Sequence, residues 1–237
     1  MKSITKYSVL LLLFIFQGCS NVPAGIDAAI TILIDRTDPL QVYPDADDIS
    51  THLNLQQDPW QGIQVTLTYI SDKDVNDTRI VILEKEDRWT GSITLRKARI
   101  ARFIKELRAA LIQAKGQVSL DHSIIYRSIA KQLNALAAAH AYKKHLLVYS
   151  DLMENDVLDF YTPKTFSLLL TKPDNVRRDL ENTAPIKNLK GVDVWLLYEP
   201  ATYEANHTYR IAAGFYKQLL ESKGAIAHIE QSFNPRS

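Results

Sequence analysis

Residues 26–34 are apolar at every position except Asp27 and Thr31. A strand with one face in water alternates apolar and polar side chains, so a run this continuous has to be covered on both faces. That need constrains the fold more than any other feature of the chain, and residues 145–150 and 192–198 repeat it. Helical spacing fills the intervals. Ile100, Phe103, Ile104, Leu107 and Leu111 share one stripe, and Ile125, Ile129, Leu133 and Leu136 share another. Residues 203–222 form a long amphipathic stretch, with Gly224 where a helix C-terminal cap belongs and a last short strand at 225–229. Residues 45–57 carry Ile49, Leu53 and Leu55 at the spacing of a short surface helix. Residues 63–70 alternate strictly, and a polar turn separates them from the apolar residues 79–83, as in a hairpin. Strands alternating with helices predict an α/β fold. The expected form is a three-layer, doubly wound, mostly parallel sheet with one antiparallel edge strand. Ligands of such sheets sit beyond the carboxyl ends of the strands, where the strand order reverses. Asp35 and Asp151 both follow buried strands.

The start of the chain is set apart from this domain. Lys2 and Lys6 precede apolar residues 9–16, which end at Gln17, Gly18 and Cys19. A membrane-crossing helix needs about 20 apolar residues, so the segment reads as an export signal over residues 1–18. Gly18 and Cys19 resemble the lipobox of bacterial lipoproteins, in which the cysteine is lipidated and becomes the mature N-terminus. Phe16 stands where that family usually has Leu, and Gln17 where it usually has a small residue. The other reading is an ordinary secretory signal with a chance cysteine. The resemblance implies a lipid anchor on Cys19, a tether over residues 19–25 and one domain over residues 26–237. Ser20 looks like the signal for outer-membrane sorting, so the expected location is the cell envelope, on an outer-membrane lipoprotein facing the periplasm.

Cys19 is the single cysteine among 237 residues, so stability must come from the core and not from an internal disulfide. A composition 46% hydrophobic, with 8 Gly and 9 Pro, suits one packed domain. Setting aside Lys2 and Lys6 from the 28 basic residues leaves 26 against 27 acidic ones, a balance that gives no reason to expect nucleic acid.

With those elements placed, residues 26–230 resemble the von Willebrand factor type A domain, a Rossmann-like α/β fold. That family carries a metal-ion-dependent adhesion site on three loops. Its first loop reads Asp-x-Ser-x-Ser, where this chain has Asp35, Arg36, Thr37, Asp38 and Pro39. Its second loop supplies a Thr, and Ser123, followed by Ile125, Ser128 and Ile129, falls at the matching offsets. Its third supplies an Asp after an apolar strand, usually followed by Gly, and here Asp151 precedes Leu152. The resemblance implies that the first and fourth strands are neighbours and that Asp35, Thr37, Ser123 and Asp151 face one Mg²⁺ or Mn²⁺, with Asp38 at the binding surface. A hard cation of that kind takes oxygen ligands and keeps several waters. Pro39 withholds one hydroxyl, which implies weak or lost metal binding, and Leu152 stands where glycine normally permits positive φ.

The same residues also have a plainer reading. Asp35, Thr37 and Asp38 suit turn chemistry before a proline, Asp151 suits a helix N-cap, and Ser123 suits the start of a helix. Arg96, Lys97, Arg99, Arg102, Lys105 and Arg108 read as a solvated helix face or as a surface for an acidic partner. The six histidines show no metal-ligand spacing and read as surface or core residues. No phosphate-cradling glycine loop or nucleophile elbow is present in the sequence. The functional expectation is a non-enzymatic, lipid-anchored module that binds another envelope protein. The alternative is a divalent-metal hydrolase using Asp35 and Asp151. Replacing Cys19→Ser in the full chain is expected to leave an uncleaved precursor in place of a membrane-bound protein, and an intact mass showing unmodified Cys19 in the wild type would remove the lipid anchor.

Overall fold

Strand β1 (Ala28–Asp35) is buried at all eight positions and pairs in parallel with β2 (Ile63–Ile70) on one side and β4 (Lys143–Tyr149) on the other. The computed structural model describes residues 25–37, 40–71, 77–115 and 123–233; Cys19, Asp38 and Pro39 lie outside these. Strand β3 (Arg79–Leu83) pairs antiparallel with β2, while β5 (Asp193–Leu197) and β6 (Ile226–Glu230) continue the parallel sheet beyond β4. The order is β3-β2-β1-β4-β5-β6, so the direction of winding reverses between β1 and β4. This is the mostly parallel sheet with one antiparallel edge that the hydrophobic pattern predicts.

Period-2 geometry divides β1 between two cores. Ile30, Ile32 and Ile34 meet Ile49, Phe103 and Leu107 from α1 (Ala46–His52) and α2 (Ile93–Lys115). Ala29 and Leu33 meet Ile129, Leu133 and Tyr216 from α3 (Ile125–Ala138) and α6 (Tyr203–Ser222). The two further helices on that side, α4 (Pro163–Thr171) and α5 (Pro173–Thr183), lie in a stretch where the sequence pattern suggested no element. Prolines set both starts, where a missing N–H costs nothing. Among the described residues no helix is long and apolar enough to cross a membrane.

The helix ends follow local chemistry. Asp45 caps α1 by accepting from the backbone N–H groups of Asp47 and Asp48 at 2.8 and 3.3 Å. Helix α6 starts on Thr202 and ends in a Schellman turn, with Gly224 at φ 94° and the Ala225 N–H bonded to the Leu220 carbonyl at 3.2 Å.

Two details, at β2 and Arg96, depart from the sequence pattern, and His145 takes the core alternative. Strict alternation in β2 predicts a solvated polar face, yet Gln64 and Thr68 are buried, because β2 lies inside the sheet and that face looks onto the groove beside α3. Arg96 is not part of a solvated basic face, since its side chain is fully buried. Its Nη1 donates to the Glu84 carbonyl at 2.6 Å and the Glu86 carboxylate at 2.9 Å, its Nη2 to the Gln61 carbonyl at 2.7 Å and its Nε to the Pro59 carbonyl at 2.5 Å. One guanidinium fork thus ties the loop before β2 to the loop after β3. Burial brings His145 beside His52 and Trp195 and pushes its pKa down to about 3, so its ring stays neutral.

Removing a partner from a buried, hydrogen-bonded charge is far more costly than removing an exposed one. Arg96→Ala is expected to destabilise the domain by about 3–5 kcal/mol, whereas Arg99→Ala, which breaks a more exposed pair with the same Glu86, should cost under about 1 kcal/mol. Urea denaturation of the two variants beside the wild type measures the difference.

Candidate functional site

The residue after β4 and the last residue of β1 are neighbours by register. Ile34 pairs with Tyr149, so the next step aligns Asp35 with Ser150. Parity assigns both to the α3 face of the sheet, with Leu33 and Val148. Contact follows: the Ser150 hydroxyl donates to Asp35 Oδ2 at 2.7 Å, and both residues are buried. Ser150 also accepts from the Leu152 N–H at 2.9 Å, so one hydroxyl joins the loop after β4 to the end of β1.

The other oxygen of Asp35 faces the hydroxyl cluster. Thr37 donates to Asp35 Oδ1 from its backbone N–H at 3.0 Å and from its hydroxyl at 2.6 Å. The Thr37 hydroxyl is also in hydrogen-bond contact with the Ser123 hydroxyl, 86 residues along the chain. Thr37 spends its one hydroxyl proton on Asp35, so Ser123 is the donor to Thr37. Ser123 is buried two residues before α3, and its carbonyl accepts from the Asn155 N–H at 3.1 Å, which ties the second loop to the third.

The fold therefore gathers Asp35, Thr37 and Ser123 from two loops at the point where the winding reverses, and adds Ser150 from a third. Asp151 belongs to the same loop as Ser150, and its Oδ1 accepts from the Met153 N–H at 2.9 Å. Asp38 lies outside the described residues. Ser150 was missed as a site residue. A polar side chain closing the apolar run 146–149, with the parity of Asp35, is the signal for it.

Oxygen donors alone, one carboxylate with the hydroxyls of Thr37 and Ser123, match a hard divalent cation in kind. Each hydroxyl keeps lone pairs while it donates its proton. An ion at this place would compete for the lone pair of Thr37 that now accepts from Ser123. The residues that would hold it are Asp35, Thr37 and Ser123. Among the described residues no group of three or more acidic, histidine or cysteine side chains is gathered, so the donor set is poor in charge.

The third loop carries backbone strain and a buried acid. Leu152 has φ 63°, in the left-handed region, and is completely buried. The positive φ that glycine would permit is thus adopted by leucine, a conformation that costs about 1–3 kcal/mol. Two residues on, Glu154 is buried against the start of α3 and accepts from the Tyr126 N–H at 2.6 Å. Burial pushes its carboxyl up to about 8, against the opposing pull of the Tyr126 and Ile125 N–H groups. Beside this loop an apolar cleft of about 390 Å³ opens between Met153, Phe160, Phe166, Tyr198 and Tyr209, with Asp151 on its wall.

No protein-family model matches this chain, and no curated protein sequence matches it. Solved structures similar to it include the PilB minor pilin from Streptococcus sanguinis, at 8% identity and a TM-score of 0.45, covering 90% of this chain and 59% of the pilin. The conserved hypothetical protein BatB from Bacteroides thetaiotaomicron is similar at 10% identity and a TM-score of 0.34, covering 87% of this chain and 90% of that one. An aerotolerance-related membrane protein from Bacteroides fragilis NCTC 9343, with multiple mutations to serines, is similar at 11% identity and a TM-score of 0.34, covering 86% and 90%. This chain spans about three-fifths of the pilin's length. The fold described above rests on its own strand order and pairings.

The Glu154 carboxyl gives the loop a pH signature of defined sign. Its folded-state pKa of about 8 lies above the ordinary value of 4.5, so the native state holds the proton more tightly than the unfolded chain. Its contribution is greatest below pH 4.5 and is lost as pH rises through about 8. Thermal melts between pH 5 and 8.5 should show a fall in stability for the wild type that is flatter in Glu154→Gln, which keeps an acceptor for Tyr126. Identical slopes in the two proteins would show that Glu154 titrates normally.

Proposed function

We propose that the chain is a lipid-anchored cell-envelope module with a von Willebrand A-like domain, that it binds another protein, and that it carries a degenerate metal-ion-dependent adhesion site. The observation that carries this reading is the convergence of Asp35, Thr37 and Ser123 at the carboxyl ends of adjacent strands. An acidic side chain from the partner would complete the coordination of an ion held there, Mg²⁺ or Mn²⁺, with Asp151 beside it. On this reading the module has no catalysis of its own.

Binding to the native state alone raises stability by RT ln(1 + [L]/Kd), or about 2.7 kcal/mol at a hundredfold excess over Kd. Thermal melts of the wild type in chelator and in millimolar Mg²⁺ or Mn²⁺ should therefore differ, and Asp35→Asn and Asp151→Ala should each remove the difference. A wild-type midpoint indifferent to metal would place recognition on other surfaces. Metal-dependent hydrolysis of small phosphoesters, abolished in both variants, would replace the binding reading with the hydrolase.

A further inference from the structure

The amino ends of β1, β2 and β4 and the carboxyl end of β3 meet at the pole opposite Asp35. Gly25 leads into β1 at that pole. Two aromatic side chains there have almost no cover, Trp89 at 92% exposed and Tyr142 at 88%. Ile93 and Leu95, in the first turn of α2, are also exposed. Trp89 and Tyr142 border one open hollow of about 710 Å³.

The turns that display them are built. The Asp87 carboxylate accepts from the Trp89 N–H at 2.7 Å and the Thr90 N–H at 3.2 Å. Gly91 lies so close to Trp60 that a Cβ there would stand 2.5 Å from the ring, which fixes the loop against the domain. The Tyr142 N–H donates to the Asp27 carbonyl at 3.0 Å. A tryptophan left in water forgoes burial of about 150–250 Å² of surface, so a rigid turn holding one outward suggests that something apolar covers it. Tryptophan and tyrosine settle at the headgroup level of a bilayer, ring toward the acyl chains and polar tip toward water. Three acids of this pole are already engaged, Asp27 by Lys85, Glu86 by Arg96 and Arg99, and Asp87 by the backbone. Arg88 and Lys143 line the same hollow and suit lipid phosphates.

We propose that this pole rests on the bilayer to which Cys19 tethers the chain, with Trp89 and Tyr142 as interfacial anchors. The inference rests on the lipid-anchor reading above, because the six steps from Cys19 to Gly25 span at most about 20 Å. Asp35 lies seven strand steps from Ala28, about 23 Å farther out, so the hydroxyl cluster points away from the membrane. Aromatic rings beside Gln56 and Gln57 are also the chemistry of sugar recognition. The near-complete exposure of Trp89 favours a bilayer.

The test uses full-length protein purified from host membranes and reconstituted in phosphatidylethanolamine–phosphatidylglycerol vesicles containing brominated acyl chains. Tryptophan fluorescence of the wild type should be quenched, and most of that quenching should be lost in Trp89→Phe, a change at an exposed side chain that leaves the core intact. The intact mass of Cys19 is read on the same sample. Acylated protein without quenching, or with quenching unchanged in Trp89→Phe, overturns this inference and spares the lipid anchor. Unmodified Cys19 removes the anchor, and the inference falls with it unless Trp89 is still quenched. Trp89 shielded from acrylamide by soluble peptidoglycan fragments, and not quenched by the vesicles, assigns the pole to sugar and overturns the bilayer.

Discussion

The double burial of β1 governs the rest of the molecule. A strand paired on both edges and packed on both faces has no freedom of register, because a slip of one residue would move every side chain to the wrong core. That fixed register aligns Asp35 with Ser150 and directs both toward α3, where Ser123 waits two residues before the helix. The hydroxyl cluster is thus a consequence of packing about 23 Å of apolar strand correctly, and needs no long-range guidance of its own, since a strand rises about 3.3 Å per residue.

Most of the fold was legible because its strands and helices differ in period. Continuous apolar runs mark β1, β4 and β5, and stripes at helical spacing mark α2, α3 and α6. What escaped the pattern had a physical cause. Helices α4 and α5 bury only Leu169 and the pair Val176 and Leu180, so neither carries a stripe of three or more buried apolar positions. Arg96 sits among charged residues on α2, and nothing local distinguishes it from Lys97 or Arg99. Its burial depends on carbonyls from two loops that are distant in sequence.

The site was legible in part. Asp35, Thr37 and Ser123 are readable from two short loops in order, and hydrogen bonds through Thr37 link the three side chains. Asp151 stands out in the sequence as the acid after a buried strand, but parity makes Ser150 the residue that faces Asp35. Period-2 reasoning carried two residues past the strand end would have found it. Glu154 was invisible for another reason: an acid in a polar loop looks solvated until α3 is placed over it.

Five successive residues of the third loop each have a separate hold on the fold, and this explains how a leucine keeps a glycine's conformation. Ser150 is bonded to Asp35, Asp151 to the Met153 backbone, and Glu154 to the start of α3, while Met153 packs into the core beside α6. The φ of Leu152 costs about 1–3 kcal/mol, and full burial of its side chain returns about 1.5–3 kcal/mol. The two nearly cancel, so the strain is tolerated only while the flanking bonds hold the turn. Ser150 donates to Asp35 and accepts from Leu152, so the strained turn and the hydroxyl cluster share one hydroxyl group. Whatever changes the hydrogen bonding of Asp35 therefore acts directly on the conformation of the loop that carries Asp151.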